Sequence, residues 1–127
     1  MDARRDWGHA RDYVRGMHLI LRHSEPDDFV LATGRTESVR YFAVNAFAAA
    51  GLDLVWEGKG LDEVGIDKKT GKTVVRIDER YFRPTEVAAL QGDAAKARSV
   101  LGWSPQTTLE ALIEEMVASE LNALKRQ

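Results

Sequence analysis

The chain has 127 residues, enough for one domain that buries roughly two-thirds of its unfolded surface. With 44% hydrophobic and 30% charged residues it reads as an ordinary soluble globular protein, and a net charge of −2 offers nucleic acid no attracting field. The absence of cysteine excludes disulfides, thiolate metal sites and cysteine nucleophiles, and fits a reducing cytoplasm. No apolar run approaches the ~20 residues needed to span a bilayer, and the charged N-terminus shows no secretory signal.

Residues 1–8 are short and polar, with Arg4, Arg5 and Asp6 ahead of Trp7-Gly8. From His9 a helical pattern emerges: Ala10, Val14, Met17 and Leu21 recur at spacings of four, three and four, which predicts a core-facing stripe. Arg11, Arg15 and Arg22 fall off that stripe, on a solvated face. The helix stops near Ser24-Glu25-Pro26. Residues 28–32, Asp-Phe-Val-Leu-Ala, form a short apolar run bounded by turn residues and predict a buried strand, ended by Thr33-Gly34. A second helix starts around Thr36 to Ser38, good capping residues, and carries Val39, Phe42, Ala43, Ala46, Phe47 and Ala50 on one face. Gly51 stands where a left-handed C-terminal residue belongs. Leu54-Val55-Trp56 predicts a strand, residues 68–71 a turn, and residues 73–77 a further strand. Asp93 is a cap for a short helix through Ala97 and Val100, closed by Leu101-Gly102, and Trp103-Ser104-Pro105 is a turn. Thr107 and Glu110 have capping-box spacing ahead of the final helix, whose stripe runs Leu109, Leu112, Ile113, Met116, Val117, Leu121 and Leu124. The order is helix, strand, helix, strand, strand, helix, helix. That is a mixed, helix-rich α/β fold, taken as one unit over residues 1–127.

The chemistry concentrates in two segments. In Tyr81-Phe82-Arg83-Pro84-Thr85-Glu86 the proline biases Arg83 towards extended geometry and gives its guanidinium a defined direction. That planar fork suits a diphosphate or carboxylate, and Glu86 is an acceptor for ring N–H groups or sugar hydroxyls. A structural salt bridge beside a loop is the competing reading. The second segment spans residues 5–13. Arg5 precedes a helix, where an anion would also meet unpaired N–H groups, while Asp6 is a potential helix cap and Trp7 a potential core residue.

No catalytic set is visible. Gly58-Lys59-Gly60 lacks the third glycine of a dinucleotide fingerprint and reads as a turn. His9, His18 and His23 lack metal-ligand spacing on a shared helical face, so no metal site is expected. There is no Gly-x-Ser-x-Gly elbow. A Tyr-x-x-x-Lys pair is also absent, because Met17, Asn45 and Thr85 stand four residues after Tyr13, Tyr41 and Tyr81.

Arg5-Asp6-Trp7-x-His9-x-x-Asp12 resembles a motif of the extended short-chain dehydrogenases that act on nucleotide sugars. So does Gly92-Asp93-x-x-Lys96-Ala97-x-x-x-Leu101-Gly102-Trp103-x-Pro105, with Arg83-Pro84-x-Glu86 between them. Together with Ala32-Thr33-Gly34, Ser38-Val39-Arg40 and Tyr81 to Glu86, these motifs are similar to the GDP-mannose 4,6-dehydratase family. The resemblance covers only the family's C-terminal part, the substrate-binding portion. It implies that the N-terminal Rossmann half, with the NADP loop and the catalytic residues, lies upstream, and that Met1 is an internal methionine. It further implies conversion of GDP-mannose to GDP-4-keto-6-deoxymannose with NADP bound by the missing half. Arg5 and Arg83 are then expected on the diphosphate and Glu86 on the GDP moiety, with no catalytic, cofactor or metal residue in this chain. The implied partners are GDP-mannose, the Rossmann half and further copies of the enzyme in a dimer or tetramer. The 127 residues alone should be inactive. Two alternatives stand beside this: the substrate domain of another nucleotide-sugar dehydratase or epimerase, and a non-catalytic module for nucleotide-sugar binding or interaction.

Overall fold

The computed structural model describes residues 1–81 and 87–126. Its elements run β1 (Arg4–Asp6), α1 (Ala10–Arg22), β2 (Thr36–Ser38), α2 (Val39–Ala49), β3 (Leu54–Glu57), β4 (Val64–Asp67), β5 (Thr73–Arg76), α3 (Ala95–Leu101) and α4 (Leu109–Leu124). Single 3-10 turns, Gly60–Asp62 and Glu79–Tyr81, flank the β4–β5 hairpin. The mixed α/β character expected from the pattern is what the chain adopts.

β1 and β2 pair antiparallel, with Arg5 opposite Glu37. On its other edge β1 is met by residues 88–90: the Arg4 amide donates to the Ala88 carbonyl (2.8 Å) and the Leu90 amide donates to the Arg4 carbonyl (3.1 Å). Two polar segments too short to announce themselves are thus held in place by long-range pairing. β3, β4 and β5 form an antiparallel meander whose register slips between Gly65 and Ile66.

A buried hydrophobic cluster joins α1, α3 and the turn after α3. Ala94, Ala97 and Trp103 are buried, with Tyr13, Leu19, Phe29, Leu31 and Leu101 against them. Trp103 donates its indole N–H to the Asp12 carbonyl (2.8 Å) and lies 6.3 Å from the Tyr13 ring. The Asp12 carboxylate accepts the amides of Gln106 (3.0 Å) and Thr107 (2.9 Å), which fastens the approach to α4 onto α1. α4 then packs along α2, burying Leu109 and Ile113.

Helix ends follow side-chain chemistry with shifts of a residue. Ser38 caps α2 through the Tyr41 amide, and Gly51 and Gly102 take positive φ just past α2 and α3, a region a Cβ penalises. Asp93 accepts the Ala95 amide (2.8 Å), one residue ahead of the cap position at Ala94. The Thr107–Glu110 box does not form: Asp12 takes the Thr107 amide and Arg35 takes the Glu110 carboxylate, so Thr108 caps α4 through the Ala111 amide.

Two expectations fail. Residues 28–32 belong to no strand, because no backbone–backbone hydrogen bond joins them to a neighbouring segment among the described residues. The expected core stripe of α1 is exposed instead: Val14, Met17 and Leu21 keep 62%, 56% and 85% of their surface open. The buried face of α1 carries Asp12 and Gly16, residues that a hydrophobic count overlooks.

Candidate functional site

Successive side chains of a strand leave opposite faces, so β1 sends Arg5 and Asp6 in different directions. Arg5 turns towards the C-terminal end of the segment that follows Tyr81. Its Nη1 donates to the Val87 carbonyl (2.9 Å) and to the Arg4 carbonyl (2.7 Å). Arg83 and Glu86 lie outside the described residues, but Val87 directly follows Glu86. The fold therefore brings Arg5 to Val87 across 82 positions of sequence.

Asp6 anchors the opposite face. Its carboxylate accepts from the Thr33 amide (3.0 Å), the Thr33 hydroxyl (2.5 Å), the Gly34 amide (2.8 Å) and, more weakly, the Gly92 amide (3.4 Å). Gln91 adds a bond from its side-chain amide to the Gly34 carbonyl (2.5 Å). Asp6 is therefore not the cap of α1; His9 fills that place, its Nδ1 accepting the Arg11 amide. Trp7 is half-buried with its ring 4.9 Å from Phe42, at the α2 side rather than in the Trp103 cluster. Nothing in local sequence marks Asp6 as a hub, because its two partner segments are distant along the chain.

An open depression of about 640 Å³ is lined among others by Ala3, Val39, Glu63, Arg76, Asp78 and Tyr81. Arg40 of α2 braces its wall. Its guanidinium pairs with buried Glu63 and with Asp2 (2.9 Å), and lies 5.0 Å over the Trp56 ring. Those two carboxylates keep Arg40 protonated above its ordinary range, Glu63 contributing most. On the far side of β2, Arg35 makes a bidentate pair with Glu110 (2.8 and 3.0 Å) and also reaches Glu37 and the Tyr41 hydroxyl. Arg35 and then Tyr41 pull the Glu110 carboxyl down to about 2. Both arginines are committed to carboxylates of this chain, so they act as braces and not as anion receptors.

The family model for GDP-mannose 4,6 dehydratase matches residues 1–116. The chain belongs to the GDP-mannose 4,6-dehydratase family. It is 54% identical over 125 residues to the GDP-mannose 4,6-dehydratase of Sinorhizobium fredii, covering 98% of this chain and 36% of that protein. It is 49% identical to the human GDP-mannose 4,6 dehydratase, covering 98% and 34%. The chain thus spans about a third of the length of the curated relatives it matches. The fold recurs in RMD from Pseudomonas aeruginosa complexed with NADPH (TM-score 0.67, 16% identity, 92% of this chain and 32% of that one). It recurs also in UDP-glucose 4-epimerase from Bifidobacterium longum in complex with NAD+ and UDP (TM-score 0.63, 24% identity, 91% and 29%). Arg5 and Asp6 thus sit in a dehydratase-family segment whose three-dimensional form recurs in these two structures.

Proposed function

We propose that this chain is the substrate-binding part of a GDP-mannose 4,6-dehydratase, the 127 residues acting as one unit that holds GDP-mannose for conversion to GDP-4-keto-6-deoxymannose. One observation carries the reading: in a member of that family, Arg5 is held against the residue that follows Glu86. Arg5 and Arg83 then answer the two charges of a diphosphate, and Glu86 accepts from ribose or guanine.

The chain's own residues do not suit NADP. Gly58-Lys59-Gly60 leads into a single 3-10 turn and not into a helix whose N-terminus would receive a pyrophosphate. NADP is therefore assigned to the portion of the family enzyme that this chain does not span, as are the catalytic residues, and the 127-residue chain by itself is expected to be inactive. That portion is the Rossmann half, and the assembled enzyme is a homo-oligomer, dimer or tetramer, working in the cytoplasm. Among the described residues no helix is long and apolar enough to cross a membrane, which is compatible with that setting.

The test uses a chimera of the Sinorhizobium fredii relative with this chain in place of its 125 matched residues. Arg5→Lys and Arg83→Lys should each weaken GDP-mannose binding, because an ammonium does not reproduce the bidentate fork. A lost charge-assisted bond contributes about 1.5–3 kcal/mol, so affinity should fall by about one to two powers of ten. NADP binding should hold, and Glu86→Gln should erode the preference for GDP over ADP. Calorimetry with GDP, ADP and NADP decides. Equal losses for GDP and NADP, together with a lower melting temperature, would make Arg83 a structural brace.

A further inference from the structure

Arg5 and Glu37 stand directly opposite each other in the β1–β2 pair, so their side chains leave the same face. The Cβ atoms of such a pair are about 4.5–5.5 Å apart, close enough for a guanidinium and a carboxylate to join without moving the backbone. The register alone therefore favours an Arg5–Glu37 ion pair. The structure holds a different arrangement. Arg5 donates to the Val87 carbonyl (2.9 Å), while the Glu37 carboxylate accepts from Nε and Nη2 of Arg35 (3.2 Å each). Arg35 precedes β2 by one residue and Glu37 by two, an interval that returns to the same face of an extended chain. Its guanidinium is fixed from two further elements. Both oxygens of Glu110, in the first turn of α4, accept from it (2.8 and 3.0 Å), as does the Tyr41 hydroxyl of α2 (3.3 Å). A cation held from three sides does not swing away, so the Glu37 carboxylate always has it within reach.

We infer that Arg35 is a positioning residue for the diphosphate site: it holds the Glu37 carboxylate and so keeps it from closing on Arg5. The inference rests on the proposed function, in which Arg5 meets the substrate's diphosphate. A carboxylate seated on that guanidinium would have to be displaced by the incoming phosphate oxygens, and would repel them at close range. Beside Arg35 its charge is balanced and its direction is set away from Arg5. As a strut alone the Arg35–Glu110 pair is weak, because both side chains are over two-fifths exposed and such pairs add little to stability. Turning one carboxylate away from a binding arginine needs only a modest preference, which a pair of this kind supplies.

The experiment measures GDP and NADP binding by calorimetry on the chimera described above. Arg35→Gln should weaken GDP binding about fivefold, the scale of one cross-strand ion pair that the phosphates must displace. Adding Glu37→Gln should return affinity to within about twofold of the parent, and NADP binding should hold throughout. Arg35→Lys, which keeps a cation beside Glu37, should lose less, and with Glu37→Gln it repeats the test if Arg35→Gln does not fold. A loss that persists in the double variant would make Arg35 a structural strut and overturn the inference. So would an Arg35→Gln protein that binds GDP normally while Arg5→Lys weakens binding. A second readout needs no ligand. In a melting cycle, Arg5→Gln and Glu37→Gln should be additive in the parent and lose additivity once Arg35→Gln is present, because the two side chains then pair. Coupling in that background, with GDP binding indifferent to Arg5→Lys, leaves the hold of Arg35 on Glu37 intact and sinks the diphosphate reading. Weaker GDP binding with Arg5→Lys but no coupling keeps that reading and overturns the inference.

Discussion

At the scale of single residues, carboxylates hold this fold where apolar side chains are few. Asp6 ties two distant segments, residues 33–34 and Gly92, to β1 through amide and hydroxyl donors, and charge-assisted bonds of this kind contribute about 1.5–3 kcal/mol each without adding in full. Asp6→Ala should therefore lower stability by about 3 kcal/mol, measured by urea unfolding. It should also loosen Arg5, which shares the strand. A loss below half of that would mean that water replaces the carboxylate. Asp12 illustrates opposing influences. Burial pushes its carboxyl up, but the Thr107 and Gln106 amides, the Thr107 hydroxyl and Arg15 outweigh it and hold the folded value below the ordinary 3.8. A depressed carboxyl stabilises above its unfolded value, and that stabilisation disappears as pH falls through the folded one. Glu110 behaves likewise between its ordinary 4.5 and about 2. Melting temperature should be level from pH 7 to 5 and decline below about pH 4. Asp12→Asn should start lower and decline less, and parallel curves for the two proteins would remove Asp12 from the account.

Among elements, glycines set how closely segments approach. A Cβ at Gly92 would stand 2.3 Å from the Ala32 Cβ, an atom fixed to the backbone, so Gly92→Ala must push residues 30–32 away from the 91–92 turn. Overpacking of this sort costs about 1–3 kcal/mol, and the upper end is expected here. Gly16→Ala meets the end of the Leu31 side chain, which can rotate, and stands 3.0 Å from Nε1 of buried Trp103, which must give by a few tenths of an ångström, against about 1 kcal/mol gained in helix propensity. It should be the milder of the two in a melt. If Gly16→Ala proves the more damaging of the two, the packing of Leu31 between α1 and Trp103 is tighter than its half-buried state implies.

For the whole molecule, the decisive quantity is apolar surface left open. Val14, Met17 and Leu21 on α1, Val87 and Leu90 near β1, and Met116, Leu121 and Leu124 on α4 all remain over a third exposed. A net charge of −2 supplies little repulsion between copies. The isolated chain should therefore self-associate at micromolar concentration, and Met17→Glu should reduce that association. Sedimentation velocity over a dilution series checks both. A compact monomer with a sharp, cooperative melt would show that the exposed stripe carries no cost in water.

The four helices, the β3 and β5 strands and the caps at Ser38, Gly51 and Gly102 were legible in the sequence because each depends on contacts within a few residues: periodicity, a side chain reaching its own helix end, a positive φ; β4, in a stretch rich in glycine and charge, was not. The motif resemblance was legible for a similar reason, since it rests on residue types in order along the chain. Tertiary structure alone decided which face of α1 is buried, because 3.6-residue spacing locates an apolar stripe but not whether anything lies against it. It alone decided that residues 28–32 remain unpaired, since a strand needs a neighbour that no local pattern provides. It also decided that Asp6 binds two distant segments and that Arg5 meets Val87, because side chains and backbone groups 27 to 86 residues apart find each other only when the whole chain has closed around them.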